Sequence, residues 1–248
     1  MAVYVTGDTH GYQDRFFDEE GNIVPAVQKL TRADALIVAG DFGYLFTGGP
    51  KETEFLDKLE MLPFTLAFVD GNHENFPLIY SFPETQWCGG RVHQIRQNIF
   101  HLMRGEIFDI QGKSIFVMGG AASIDKYLRQ EGLSWWFQEL PTEAEYQNAS
   151  RNLAQRGEQV QYIITHTAPT YIIQAMGYKP SIFAQDAQLC GFLEWVAKDS
   201  PAKNYHQWLF GHWHVDMEDL WDGHRKNLES QRFRSLNFDM AELDGSRK

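Results

Sequence analysis

Five short apolar runs in this chain end alike, each at a polar cluster, often one containing glycine. Val3-Tyr4-Val5-Thr6 stops at Gly7-Asp8-Thr9-His10-Gly11. Ala35-Leu36-Ile37-Val38-Ala39 stops at Gly40-Asp41-Phe42-Gly43, and Leu66-Ala67-Phe68-Val69 stops at Asp70-Gly71-Asn72-His73-Glu74. Tyr162-Ile163-Ile164-Thr165 stops at His166-Thr167-Ala168-Pro169, and Trp208-Leu209-Phe210 at Gly211-His212-Trp213-His214. Short, β-rich and bounded by turn residues, these runs read as buried strands. Apolar residues at helical spacing over Ile23 to Thr31 and Thr53 to Met61 separate the first three. Strand, helix, strand in succession implies crossover connections and a mostly parallel sheet. Asp8 to Asp41 is 33 positions and Asp41 to Asn72 is 31, each about one such unit.

The rest of the chain reads more coarsely. Asn98 to Gly105, Glu106 to Ile110 and Lys113 to Met118 look like a hairpin series that builds a second sheet, with Gln111-Gly112 as one turn. Ser123 to Glu139 is expected to be helix and loop. Glu143 to Arg156 and Ala187 to Lys198 read as helices, and Gln231 to Leu236 and Phe238 to Leu243 as the last strands. Residues 1–242 are expected to form one domain, with 243–248 a frayed tail.

A parallel α/β sheet gathers ligands at the carboxyl ends of its strands. Here those ends carry Asp8, His10, Asp41, Asn72, His73, His166, His212 and His214. Singly, each could be a turn former or a satisfied histidine. Together they supply two carboxylates, one amide and five imidazoles at one sheet edge. Mixed nitrogen and oxygen donors suit Mn²⁺, Fe or Zn²⁺ better than Ca²⁺ or Mg²⁺. Seven ligands exceed one four-coordinate ion and suit two ions sharing a carboxylate. Two such ions ~3.5–4 Å apart would clamp the attacking and leaving oxygens of an in-line displacement.

Composition narrows the partners. The 248 residues are 43% hydrophobic and 22% charged, an ordinary globular balance. Lys and Arg number 22 against 33 Asp and Glu, a net charge of -11. That argues against an extended nucleic-acid partner and against an anionic membrane surface. Two divalent ions would still draw a small anionic substrate into the site. Cys88 and Cys190 have no disulfide or zinc-ribbon spacing and read as two buried thiols. No apolar h-region opens the chain and no stretch approaches ~20 apolar residues, so a cytoplasmic location is expected.

The ordered set Gly-Asp-Thr-His-Gly at 7–11, Gly-Asp at 40–41, Gly-Asn-His-Glu at 71–74, His166 and Gly-His-Trp-His at 211–214 resembles the motifs of the calcineurin-like metallophosphoesterases. His101-Leu102-Met103-Arg104-Gly105, Gly119-Gly120-Ala121 with Ser123 and Asp125, and Ser134-Trp135-Trp136 are similar to a bacterial and phage branch of that family. The resemblance implies a four-layer α/β/β/α sandwich of two mixed sheets flanked by helices. It implies a dinuclear phosphoesterase that cleaves a small phosphorylated or nucleotide substrate, monoester or diester, by attack of metal-bound hydroxide. Asp8, His10 and His214 would hold one ion, Asn72, His166 and His212 the other, and Asp41 would bridge. His73 would protonate the leaving oxygen. Mn²⁺ is the expected metal, with Fe or Zn²⁺ as alternatives. Two rival readings are a nuclease of the same fold and a non-catalytic interaction module.

The resemblance has gaps. Tyr44 stands where the phosphoprotein-phosphatase branch has the Asp that orients its catalytic His, and both phosphate-clamping arginines of that branch are missing. This argues against phosphoprotein substrates. Arg129 and Asp125 read either as a surface ion pair or as a phosphate contact at the site mouth. Trp135-Trp136-Phe137 reads as a packed loop anchor, and Asn75 and Phe76 as turn and core. Arg91, Arg96 and Arg104 read as solvated surface. His93, His101, His206 and His224 receive no ligand role.

Overall fold

A computed structural model of the chain describes residues 1–179, 184–220 and 232–243. β1 (Val3–Thr6), β2 (Ala35–Val38) and β3 (Thr65–Phe68) lie side by side and parallel, with Val3 opposite Ala35 and Ala35 opposite Thr65. α1 (Pro25–Gln28) lies between the first two in sequence and α2 (Pro50–Glu60) between the second and third. Pro50 starts α2 where an N–H would go unused, and Glu52 accepts the N–H groups of Phe46, Thr47 and Gly48 just upstream. The predicted helix over Ile23 to Thr31 shortens to the single turn of α1.

Beyond β3 and α3 (Phe76–Tyr80), the chain forms β4 (Glu84–Trp87), β5 (Gly90–Arg96) and β6 (Ile99–Leu102). β6 pairs parallel with β3, so the segment expected to open the second sheet belongs to the first. The β4–β5 hairpin has no counterpart in the sequence reading. Glu84, Thr85 and Gln86 are all exposed, without the alternation that marks a half-buried strand.

β7 (Ile107–Ile110) and β8 (Lys113–Met118) form the expected hairpin, with Gln111 at φ 53° and Gly112 at φ 74°, as a type I′ turn requires. β8 then pairs with β9 (Tyr162–Thr165) and β9 with β10 (Gln207–Phe210), both parallel. α4 (Glu143–Arg156), α5 (Thr170–Ala175) and α6 (Ala187–Lys198) fall between them in sequence. Thr142 and Glu145 close a reciprocal capping box at the start of α4. The 123–139 segment is not helical beyond two 3₁₀ turns, Lys126–Leu128 and Phe137–Glu139. β11 (Met217–Leu220) and β12 (Arg232–Ser235) complete the second sheet, and β13 (Met240–Glu242) pairs antiparallel with β1.

The sheet orders are β13-β1-β2-β3-β6-β5-β4 and β11-β12-β10-β9-β8-β7. Side-chain alternation makes the layers. Val3, Val5, Ala35, Ile37, Ala67 and Val69 of one sheet bury against Ile115, Val117, Tyr162, Ile164 and Leu209 of the other. Leu36, Val38, Leu66 and Phe68 face outward onto Phe55, Leu56 and Leu59 of α2. Phe116, Ile163, Trp208 and Phe210 face Ala149 and Leu153 of α4 and Leu193 of α6. The result is the expected four-layer arrangement, two mixed sheets flanked by helices.

Two smaller expectations change. Cys88 is exposed at the β4–β5 turn, whereas Cys190 is buried in α6. Leu243, expected in a frayed tail, is 1% exposed, and its N–H donates to Val3 O at 2.8 Å. Residues 244–248 and His224 lie outside the described residues, as does Gln231, the first residue of an expected strand. Among the described residues no helix is long and apolar enough to cross a membrane.

Candidate metal centre

Each predicted strand-end residue sits where a parallel strand has just released the chain. Asp8 and His10 follow β1, Asp41 follows β2, Asn72 and His73 follow β3, His166 follows β9, and His212 and His214 follow β10. The two sheets present these ends to one another. Asp8, 204 positions from His212, accepts the His212 backbone N–H at 3.0 Å. Two glycines let the loops approach this closely. A Cβ on Gly211 would stand 2.2 Å from Asp8 Oδ1, and one on Gly71 would stand 2.1 Å from Asp41 Oδ1.

The backbone is also held in unusual conformations here. Among the described residues, six non-glycine positions have positive φ, and His10, Asp41, His212 and His214 are four of them. Such strain gathers at functional sites because the surrounding structure fixes it there.

Asp41 is the centre of the cluster. It is 1% exposed, its Oδ2 is 3.7 Å from His10 Nε2, and its Oδ1 is 3.6 Å from His166 Nε2. Its two oxygens thus face two groups of donors. On one side, His10 Nε2 and His214 Nε2 are 3.0 Å apart and Asp8 Oδ2 is 3.2 Å from His214 Nε2. One ligand atom from each of Asp8, His10, Asp41 and His214 falls within 4.8 Å of the others. On the other side, His166 Nε2 is 3.0 Å from Asn72 Oδ1, and the His166 and His212 rings are 4.9 Å apart.

The donor chemistry fits divalent cations. His166 Nδ1 lies 2.8 Å from Ala39 O, so Nδ1 carries the proton and Nε2 presents a lone pair. Burial pushes His212 down to about 3, helped by the neighbouring histidines, which leaves a neutral imidazole. Burial alone would raise Asp41, but His166, His73 and His10 hold it down at about 2. The hydrogen bond to Asp8 raises His214. A buried carboxylate flanked by converging imidazoles is a donor set that fits a divalent cation.

His73 does not join either donor group. Its backbone N–H donates to Asp41 Oδ1 at 2.8 Å, and its ring is 5.6 Å from the His10 ring. It lines an open cavity of about 410 Å³ with His10, Gly43, Phe46 and Arg129. Burial lowers its pKa, against the pull of Asp41 and Asp125.

Arg129 makes the expected ion pair with Asp125 and also borders the cavity. Its Nε and Nη2 donate to Asp125 Oδ1 and Oδ2 at 2.9 and 2.8 Å, and the same guanidinium borders the cavity beside His73. Tyr44 is buried core, its hydroxyl donating to Tyr12 O, and does not orient His73. Asn75 caps α3 and Phe76 is fully buried, as expected. Trp136 is 7% exposed and packs edge-on against Phe46.

Three participants have roles that the sequence did not show. Arg104 is not surface: its side chain is 1% exposed and forks onto Asp70 beneath the Asn72 loop. The reason is topology, since Arg104 follows β6 and Asp70 follows β3, its parallel neighbour. His101 Nε2 also reaches Asp70 Oδ1, at 3.1 Å. Glu74, 1% exposed, accepts the Phe42 N–H at 2.8 Å and ties the second strand-end loop to the third.

No curated protein matches the chain. A family model does. The calcineurin-like phosphoesterase model matches residues 1–216, a span that carries every one of the converging strand-end side chains, and the chain belongs to that family of metal-dependent phosphoesterases.

Proposed function

We propose that this phosphoesterase acts through two transition-metal ions on a small phosphomonoester or phosphodiester. Asp8, His10 and His214 would hold one ion and Asn72, His166 and His212 the other, with Asp41 shared. The carrying observation is the geometry of Asp41, whose two oxygens face histidines on opposite sides while the carboxylate is 1% exposed. Bound there, a pair of Mn²⁺ ions would supply Lewis acidity toward phosphoryl oxygens and an activated water at neutral pH.

The remaining work belongs to the chain. Arg129, held in a fixed fork by Asp125, offers its guanidinium to a phosphoryl oxygen entering the cavity. His73, fixed through its backbone to Asp41, gives a proton to the departing oxygen. The cavity of about 410 Å³ has the size of a small-molecule site, and Arg129 is the permanent cation among its lining residues. That favours a compact substrate over an extended strand, which would need a basic track.

The test pairs an aryl with an alkyl phosphoester, each as monoester and diester, in Mn²⁺. Asp41→Asn should abolish turnover of all four. His73→Ala should lower kcat on the alkyl esters by about 10²–10⁴-fold. It should cost far less on nitrophenyl esters, whose leaving group departs without a proton. Wild-type turnover by Asp41→Asn would refute the reading. A folded wild-type protein inert toward all four esters in Mn²⁺, Fe²⁺ and Zn²⁺ would favour an interaction module.

A further inference from the structure

Ser123 lies in the segment after β8, and nothing in its own chemistry marks it. In the fold it is 1% exposed, and its Oγ stands 3.0 Å from Asn72 Nδ2. The other end of that amide, Asn72 Oδ1, stands 3.0 Å from His166 Nε2. Which end faces inward decides what Asn72 can do. An amide oxygen has lone pairs for a cation, and an amide nitrogen has only donors.

His166 does not settle the choice. Its Nδ1 proton is committed to Ala39 O, so Nε2 is an acceptor. A reversed amide would satisfy that acceptor well, by donating an N–H to it. The reversal would also turn nitrogen toward the cation position and remove a ligand. The decision must come from the other end of the amide.

At that end Asn72 Nδ2 donates to Ser123 Oγ at 3.0 Å. The Glu139 carboxyl accepts the Ser123 backbone N–H at 3.1 Å and so fixes the serine in place. Ser123 and Glu139 are each 1% exposed, so water does not compete for the serine. With its NH₂ on Ser123, the Asn72 amide turns its oxygen inward.

We propose that Ser123 is a positioning residue that fixes the Asn72 amide with its oxygen inward and thereby makes Asn72 a metal ligand. This rests on the two-ion reading above. Partners of this kind orient metal ligands generally, and their loss typically costs about 10–100-fold in metal affinity.

The experiment is a Mn²⁺ titration of the metal-stripped protein by calorimetry, with free Mn²⁺ counted by electron paramagnetic resonance. Wild type should bind two Mn²⁺ per chain. Ser123→Ala should weaken one of the two by about 10–100-fold and leave the other unchanged. Ser123→Thr, which keeps the hydroxyl, should bind as wild type. In an Asn72→Asp background Ser123→Ala should cost little, because a carboxylate presents oxygen at either end. If Ser123→Ala does not fold, Ser123→Cys keeps the volume with a poor acceptor and should show the same loss. Unchanged binding of both ions by the Ala or Cys variant overturns the inference and leaves the two-ion reading standing. An equal loss in the Asn72→Asp background also overturns it, since that would be packing alone. Fewer than two Mn²⁺ on wild type overturns the two-ion reading, and the inference with it.

Discussion

Replacing Asp70 by Asn removes one charge from the layer directly beneath the Asn72 loop. Asp70 Oδ2 accepts from Arg104 Nε at 2.8 Å and from Nη2, and Oδ1 accepts from His101 Nε2 at 3.1 Å. Both side chains of the Asp70–Arg104 pair are 1% exposed. Among the described residues, the variant leaves the buried guanidinium with only Glu145, 3.4 Å away and 27% exposed, as an acidic ion-pair partner. Removing one member of such a pair costs about 3–5 kcal/mol. A domain of this size is stable by roughly 5–15 kcal/mol. At about 2–4 °C per kcal/mol, the melting temperature should fall by roughly 6–20 °C.

The pH dependence supplies a second check. Burial would raise the Asp70 carboxyl, but Arg104 and His101 outweigh it and hold it below the usual range. A group depressed in the folded state stabilises above its unfolded pKa of about 3.9 and loses that contribution as pH falls. The gap between wild type and Asp70→Asn should therefore be full at pH 7 and narrow below about pH 4. Urea denaturation at pH 7 and pH 3.5 measures both values. Adding Arg104→Met to Asp70→Asn should recover much of the loss, because the unpaired cation goes with it. A single-variant loss under ~1 kcal/mol, the range of an exposed pair, would refute the reasoning.

Three further outcomes follow from other positions. Asp186 accepts the Ala122 N–H at 2.9 Å, and burial pushes its carboxyl up to about 7, so the folded state favours the protonated form. Its contribution is present at low pH and lost as pH rises from about 4 to about 7, at most ~4 kcal/mol at 1.36 kcal/mol per pH unit. Asp186→Asn should flatten that decline in melting temperature, and parallel curves for variant and wild type would count against it. Gly211→Ala puts a Cβ 2.2 Å from Asp8 Oδ1 and should lower both stability, by about 1–3 kcal/mol, and Mn²⁺ affinity. Gly191→Ala, in α6 with open space around it, should instead stabilise by about 0.5–1 kcal/mol, and both are read by thermal melts and calorimetry.

Local signals carried much of the fold. α4 and α6 run over Glu143–Arg156 and Ala187–Lys198 as their spacing predicts. Four-residue runs such as Val3–Thr6 and Tyr162–Thr165 gave the parallel strands, because a buried strand shows itself in consecutive β-forming residues. The β4–β5 hairpin escaped because an exposed edge carries no apolar pattern. β6 was assigned to the wrong sheet because a strand's own residues do not name its partner.

The same division holds at the site. Asp8, His10, Asp41, Asn72, His73, His166, His212 and His214 could be named from sequence, since each follows a strand and parallel strands deliver their ends to one edge. Arg104 could not, since its burial depends on Asp70, 34 positions away across a strand pair. Ser123 could be named as a motif residue but its contacts could not, since its partners Asn72 and Glu139 lie 51 and 16 positions away. Sequence determined which side chains reach the edge, through local periodicity and turn chemistry. Only tertiary structure decided which atom of each faces which neighbour, because that orientation is set by hydrogen bonds closed between distant segments when the two sheets pack.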